Sequence, residues 1–261
     1  MKKKILFTLL PLLALPLTSC GTSIGIYADA DKYLAGNQTY TESVNTIEID
    51  WVSGELTLIE DDTIEGVKIE EEANTTEEKA LVHSYLNEGN LKIKYFASGY
   101  MSTQYNLKKS LTVTYKPGLT KMDVDITSGK LHAENITATE FELDMTSGDA
   151  DIGSVIADDI DIDATSGDIE ITKVTAKGFD SDLTSGTITI GFTAIDKATF
   201  DLTSGTINMK LPEDGGTVKV SKTSGSVNTK RECSVNNNTY KFGSGAADIK
   251  VSMTSGKLNI E

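Results

Sequence analysis

The sequence has little of the chemistry on which most catalytic and metal sites depend. Its 261 residues include two cysteines, Cys20 and Cys233, and two histidines, His83 and His132. Two cysteines do not make a thiolate zinc site, and two histidines leave few general bases for a serine nucleophile. No histidine neighbours Cys233 in sequence, so we interpret this thiol as incidental. The sequence therefore predicts a protein without a cofactor and without enzyme activity.

Positive charge is also scarce. The chain has 24 lysines and arginines against 39 aspartates and glutamates, and its formal net charge at pH 7 is −15. Nucleic acids and anionic lipid headgroups repel such a surface. We therefore expect no nucleic-acid partner.

Long apolar runs are absent apart from one at the start of the chain. Lys2, Lys3 and Lys4 precede an apolar run, Ile5 to Leu17, which is too short to cross a bilayer. The tetrapeptide that follows, Leu-Thr-Ser-Cys at residues 17–20, resembles the bacterial lipobox. This resemblance implies a lipoprotein signal peptide at 1–19, lipidation of Cys20, and an exported protein that its lipid anchors to the membrane. Residues 20–45 are predicted to form a flexible tether.

The most regular feature is a repeated tripeptide, Thr-Ser-Gly. Successive copies lie 19, 19, 19, 19, 20 and 31 residues apart. A period near twenty is typical of a solenoid, in which each repeat buries its apolar face against its neighbours. The copies begin at Thr127, Thr146, Thr165, Thr184, Thr203, Thr223 and Thr254.

Apolar residues alternate with polar ones after each glycine, as in Ile169 and Ile171. Alternation predicts strands with one buried face, and a 19-residue repeat has no room for a helix as well. The fold class is therefore all-β, most simply a parallel β-solenoid with coils of about 19 residues. An antiparallel β-meander or sandwich is the alternative, because Ser-Gly also occurs in hairpin turns.

The tripeptide itself is predicted to form a corner of each coil, not a catalytic site. Glycine permits a sharp bend or a close approach of two backbones, and the hydroxyls can satisfy corner backbone groups. Seven equivalent serines with so few histidines argue against a nucleophile. The corner glycines are Gly129, Gly148, Gly167, Gly186, Gly205, Gly225 and Gly256.

The repeats indicate a single domain over residues 46–261. Residues 46–120 form an irregular first part with insertions, 121–229 are the regular coils, and 230–261 hold a hairpin or loop insertion and the last coil. The chain ends within a strand at Glu261, so we expect an open final coil whose edge is either blunted by charged residues such as Lys257 and Glu261 or paired with another element. Tyr100, Tyr105 and Tyr240 interrupt the pattern and are candidate partner contacts, or they pack against an end of the solenoid.

A column of aspartates, four residues before the glycine in five consecutive coils, raises the question of calcium. Stacked carboxylates about 5 Å apart repel by roughly 1 kcal/mol in water, which a bound cation would relieve. The candidates are Asp144, Asp163 and Asp182 of this column, together with Asp168, which directly follows Gly167. The glycine-rich signature of calcium-binding β-rolls is absent, so we favour aspartates that face solvent and accept hydrogen bonds at the corner.

Residues 111–152, "LTVTYKPGLTKMDVDITSGKLHAENITATEFELDMTSGDADI", resemble a bacterial β-strand-repeat family, a domain of unknown function whose members carry the name "putative adhesin". The resemblance covers about residues 46–261 and implies a solenoid-like fold and a non-enzymatic role at the cell envelope. We expect an adhesin-like module that binds or scaffolds an unidentified protein or glycan at the cell surface. The alternatives are an envelope-stress sensor that acts on a membrane signalling partner and, with less support, a calcium-binding β-roll or a polysaccharide-acting enzyme.

Overall fold

The computed structural model describes residues 25–261, so the predicted signal peptide and Cys20 lie outside the described residues. Two 3₁₀ turns, Ala30–Lys32 and Glu78–Ala80, accompany the strands. No helix in this described part is long and apolar enough to cross a membrane. The strands are β1 (Leu34–Ala35), β2 (Gln38–Tyr40), β3 (Thr46–Glu60), β4 (Val67–Ala73), β5 (His83–Asn87), β6 (Asn90–Lys94), β7 (Lys109–Tyr115), β8 (Leu119–Ile156), β9 (Asp159–Ala164), β10 (Asp168–Leu183), β11 (Thr187–Leu202), β12 (Thr206–Lys210), β13 (Gly215–Lys222), β14 (Ser226–Thr229), β15 (Ser234–Asn236), β16 (Thr239–Gly243), β17 (Ala247–Met253) and β18 (Lys257–Ile260).

The regular coils stack in parallel, which confirms the β-solenoid and excludes the antiparallel alternative for this part of the chain. Ile169 pairs with Ile188 and Ala150, its counterparts one coil on either side. These inward side chains are almost wholly buried, and burial of one isoleucine stabilises the fold by about 2 kcal/mol. We call the strand segments before each Ser-Gly corner the leading ladder, and those after it the trailing ladder.

The corner glycines are required by contact between coils. The φ angle of Gly167 is +125°, and a Cβ built on it would lie 2.1 Å from the carbonyl oxygen of Gly148 in the neighbouring coil. No side chain fits there. Next to it, the hydroxyl of Ser166 donates to the carbonyl of Thr146 at 3.4 Å. The Ser-Gly pair is thus a structural corner, as the repetition predicts.

The coils do not stack in the order of the sequence. On the leading ladder, β17 lies between β11 and β13 and is parallel to both. On the trailing ladder, β18 lies between β12 and β14. The last coil therefore inserts between the two coils that precede it. The expectation of an open final coil at Glu261 is wrong, because β18 is paired on both sides and β14 ends the trailing ladder instead.

A ladder of asparagine side chains follows this inserted coil. Asn228 donates to the Asn259 amide oxygen at 3.0 Å, and Asn259 donates to that of Asn208 at 2.7 Å. Asn208 in turn donates to the hydroxyl of Thr189 at 3.1 Å. The three asparagines occupy one outward position in consecutive coils, so their bonds fix the register of the insertion.

The insertion at 230–245 forms a hairpin, one of the two forms expected. Strands β15 and β16 pair antiparallel, and β16 also pairs antiparallel with β13. The hairpin therefore closes the end of the leading ladder at the C-terminal end of the stack. Cys233 is half-buried and lies against the core, with its sulfur 4.0 Å from the hydroxyl of Thr229.

The opposite end of the stack is closed by an N-terminal cap, which we define as residues 25–45 and 61–118. Strand β3 forms the first coil, and β6 and β7 pair with it in parallel. Beyond them the pairing is antiparallel: β5 and β1 follow β6, and β4 and β2 follow β7.

The cap includes part of the segment predicted as a flexible tether. Strand β1 pairs with β5, and β2 pairs with β4. Residues 34–40 therefore belong to the folded domain. The polar composition of this segment reflects edge strands, whose outer faces meet solvent.

A buried ion pair holds the cap together. The Lys109 ammonium nitrogen lies 2.8 Å from Glu71 Oε1, and the two side chains are 0% and 2% exposed. The ammonium also donates to the carbonyls of Ala80 and Tyr95 and lies 4.0 Å from the centre of the Tyr95 ring. Burial lowers the pKa of Lys109 to about 8, although Glu71 pulls it upward.

Candidate functional site

The outward side of the leading ladder carries two columns of carboxylates, which we call the acidic face. One column lies four residues before the glycine in six consecutive coils, from Gly54 to Gly205, and the other lies six residues before it in the first five of these coils. Strand pairing places equivalent residues side by side, as Asp50 with Asp125 and Asp163 with Asp182, with coils about 4.8 Å apart. The acidic face comprises Glu48, Asp50, Asp123, Asp125, Glu142, Asp144, Asp161, Asp163, Asp180, Asp182 and Asp201.

Lysines neutralise only the beginning of the acidic face. Lys94 lies 2.7 Å from Glu48 and also bridges to Asp50. Lys121 lies 2.9 Å from Asp123 and bridges to Glu142. In the described chain, no cation lies within salt-bridge distance of the remaining members, which are Asp125 and those from Asp144 to Asp201. The middle of the leading ladder is therefore a row of unneutralised carboxylates.

The carboxylates of this face are held at an electrostatic cost. Partial burial raises the pKa of Asp163, and the charges of Asp182 and Asp144 raise it further. Burial, followed by repulsion from Asp50 and Asp144, raises the pKa of Asp125 to about 7. Each shift has the sign expected when like charges are stacked and partly desolvated. A cationic ligand would relieve this repulsion.

The four calcium candidates are not brought together as one site. Asp144, Asp163 and Asp182 share a column of the leading ladder, whereas Asp168 lies on the trailing ladder, where it pairs with Asp149 and Thr187. Within residues 25–261, no group of three or more acidic, histidine or cysteine residues is arranged to hold a metal ion. A single column also supplies too few converging oxygens for calcium.

An open groove of about 590 Å³ runs along the corner beside the C-terminal end of the acidic face. Asp182 and Asp201 belong to both surfaces, and Leu183, Leu202 and Met253 line the groove with apolar surface. Threonines from four coils supply hydroxyls: Thr184, Thr203, Thr254 and Thr223. Sequence order does not reveal this groove, because the inserted last coil places Thr254 between Thr203 and Thr223.

The three candidate contact tyrosines have different surroundings. Tyr105 is fully exposed in the loop before β7. Tyr100, in the same loop, is half-buried and donates to Glu77 at 2.8 Å. Tyr240 packs partly against the core of the C-terminal hairpin. Tyr105 is thus the one of the three that is free to anchor a partner through its whole ring.

The coils, their Ser-Gly corners and their parallel ladders define a β-solenoid of Toastrack type. The family model described as Toastrack DUF4097 matches residues 74–261, and the chain belongs to this family.

Solved structures from three bacterial species are similar to this chain at low sequence identity. A "putative adhesin" from Bacteroides fragilis is 13% identical, with 88% of this chain and 97% of that chain covered and a TM-score of 0.49. A "putative lipid binding protein" from Parabacteroides distasonis is 13% identical over the same shares, with a TM-score of 0.48. A "putative cell adhesion protein" from Clostridium sporogenes is 13% identical over 88% and 99%, with a TM-score of 0.42. A comparison with curated proteins found no match.

Proposed function

We propose that this chain is a non-enzymatic, lipid-anchored protein of the bacterial envelope that binds a cationic partner through the acidic face. The row of carboxylates without lysine partners, from Asp144 to Asp201, carries this proposal. A folded domain gains nothing in stability from such a row, because partial burial and then neighbouring carboxylates raise the pKa of Asp144, Asp161 and Asp163. A ligand that brings positive charge converts this cost into binding free energy.

The geometry of the face suits an extended partner. Parallel strands form a continuous surface, and equivalent carboxylates recur at every coil. Such a surface matches a chain of regularly spaced cations, as in a lysine-rich protein segment or a glycan that carries amino groups. The groove beside Asp182 and Asp201 adds hydroxyls that can hydrogen-bond to the same partner. Lipidation of Cys20 would display this surface outside the cytoplasm.

Binding of an oligolysine peptide to the full-length lipoprotein in detergent tests the acidic face. The triple variant Asp144→Asn, Asp163→Asn, Asp182→Asn should weaken binding at least tenfold, since about 1.4 kcal/mol of charge interaction corresponds to tenfold. The matched control is Asp149→Asn, Asp151→Asn, Asp168→Asn, which removes the same charge from the trailing ladder. If both triple variants weaken binding equally, the peptide responds only to the net charge of the protein. That result would contradict binding at the acidic face.

Lipidation is tested separately by growth with an alkyne-labelled fatty acid. The full chain should incorporate the label and partition into the membrane fraction, and Cys20→Ala should do neither. A labelled Cys20→Ala variant would show that the lipid is attached elsewhere.

A further inference from the structure

Four large apolar side chains of the N-terminal cap are exposed: Ile26, Leu34, Met101 and Tyr105. Ile26 is 90% exposed, Met101 is 66% exposed and Tyr105 is fully exposed. Ile26 is the second described residue, and Met101 and Tyr105 lie in the loop between β6 and β7. Exposed apolar residues that gather on one surface mark a contact with a partner or a membrane, whereas single ones do not.

The two segments that carry these residues lie against each other. Gly99 donates its backbone N–H to the carbonyl of Gly25 at 3.2 Å, and Tyr27 donates its own to Ser98 Oγ at 3.0 Å. A Cβ built on Gly99 would lie 3.8 Å from Ile26 Cγ1. Ile26 therefore lies against the start of the loop that carries Met101 and Tyr105, and we call Ile26, Met101 and Tyr105 the cap loop surface.

Half-buried tyrosines lie next to this surface. The ring centres of Tyr27 and Tyr33 are 4.5 Å apart, and those of Tyr33 and Tyr85 are 5.4 Å apart. Tyr27 also donates its hydroxyl to the carbonyl of Phe96 at 3.0 Å. Rings with an apolar body and a polar end are enriched where a protein meets the headgroup region of a membrane. Eight of the nine tyrosines of the chain lie between residues 27 and 115, so this chemistry is concentrated at one end of the stack.

The length of chain between the cap and Cys20 limits how far the cap can lie from a bilayer. Four residues, 21–24, separate Cys20 from Gly25. Even fully extended, a segment of this length spans only about 14–18 Å. If Cys20 carries the lipid, the cap loop surface is held beside the membrane, and this step depends on the proposed lipidation.

We infer that the cap loop surface rests in the interfacial region of the phospholipid bilayer, with Met101 and Tyr105 among the headgroups. The lipid on Cys20 holds the protein at the membrane, so the loop needs only enough affinity for the bilayer to orient the domain. With the cap on the membrane, the C-terminal hairpin lies at the opposite end of eight stacked coils, roughly 34 Å further along the stack at about 4.8 Å per coil.

Quenching of tryptophan by brominated lipids tests this orientation. Met101→Trp and Tyr105→Trp are introduced separately into the full-length lipoprotein, which is reconstituted in phosphatidylcholine vesicles. Ile156→Trp is the matched control, since Ile156 is also an exposed apolar residue but lies on the regular coils. The single native tryptophan, Trp51, is buried and contributes the same background to each variant.

We expect brominated phosphatidylcholine to quench at least half of the added emission of Met101→Trp and Tyr105→Trp, and almost none of that of Ile156→Trp. Flotation of the same samples reports the anchoring independently. Protein that floats while position 101 is quenched no more than position 156 would overturn the inference and leave the anchoring intact. Protein that does not float contradicts the lipidation and, with it, the inference. An unquenched loop whose emission shifts to the blue with envelope polysaccharide would assign the surface to a glycan instead.

Discussion

The regular coils and the N-terminal cap share one buried core, but the coils are held by repeated contacts and the cap by contacts that occur once. In the coils, one small set of contacts recurs, such as the corner at which Gly167 passes the carbonyl of Gly148. In the cap, contacts occur once each, and the pair of Lys109 with Glu71 has no counterpart elsewhere in the described chain. Repetition spreads stability over many equivalent positions, whereas the cap concentrates it in a few.

The two surfaces for which we propose a function follow the same division. The acidic face exists because a repeat copies each outward carboxylate into the next coil. The cap loop surface exists because an insertion, residues 95–108, interrupts the strands. Repeats thus give a solenoid an extended surface with recurring side chains, and inserted loops give it local surfaces that occur once.

The largest expected effect comes from breaking the unique contact of the cap. Lys109→Met leaves the carboxylate of Glu71 buried without its cation, which should lower the free energy of unfolding by about 3–5 kcal/mol. Chemical denaturation measures the loss, and hydrogen exchange should localise it to the cap. Lys177→Met is the matched control: its partner Asp158 is on the coils, and both side chains are largely exposed, so we expect almost no change.

A double variant separates the charge from the packing at this site. Lys109→Met with Glu71→Leu removes both charges and should recover most of the lost stability. If the double variant is as unstable as Lys109→Met alone, the unpaired carboxylate does not cause the loss of stability. The difference between cap and coils would then not be electrostatic.

The second effect tests the repeated corner. Gly167→Ala should destabilise the coils by about 3 kcal/mol, because the new methyl group meets the Gly148 carbonyl in addition to adopting a φ of +125°. Gly118→Ala is the control, since its φ is +89° but nothing lies within 4 Å of the new Cβ; there we expect about 1 kcal/mol, from the backbone conformation alone. Thermal denaturation of both proteins gives the comparison. Equal losses would mean that contact between coils does not require glycine.

This division also explains how far the sequence predicts the structure. Repeated columns predict the parallel ladders and the corner role of Ser166 and Gly167, because the Thr-Ser-Gly tripeptide occurs seven times in the sequence. They do not predict the order of the coils. Strands β17 and β13 have the same alternation of apolar and polar residues. The local pattern therefore cannot decide which of these two strands pairs with β11.

The cap is predictable only in outline, for a different reason. Lys109 and Glu71 are 38 residues apart, and neither lies in a motif that marks a buried charge. The alternation in residues 67–73 and 109–115 does indicate strands, whereas their antiparallel pairing depends on the path of the insertions between them. The cap loop surface has a weak signal in sequence: Tyr100 and Tyr105 interrupt the pattern, but the proximity of Ile26 depends on the fold.

The smallest effect is a dependence of coil stability on pH. Partial burial and neighbouring charges raise the pKa of Asp144, Asp161 and Asp163, and they raise that of Asp125 to about 7. The folded coils therefore bind protons more readily than the unfolded chain, in which an aspartate titrates near pH 4. The resulting stability is fully present below about pH 4 and is lost as the pH rises through the folded pKa values, up to about 7 for Asp125.

We therefore expect the melting temperature of the coils, followed by circular dichroism, to fall by a few degrees between pH 5 and pH 8. Asp125→Asn should reduce this slope, because it removes the group whose pKa is raised to about 7. Asp168→Asn removes one carboxylate from the trailing ladder instead and should leave the slope nearly unchanged. A melting temperature that rises from pH 5 to pH 8 would show that the stacked carboxylates stabilise the coils in their charged form, and the acidic face would then have no repulsion for a cationic partner to relieve.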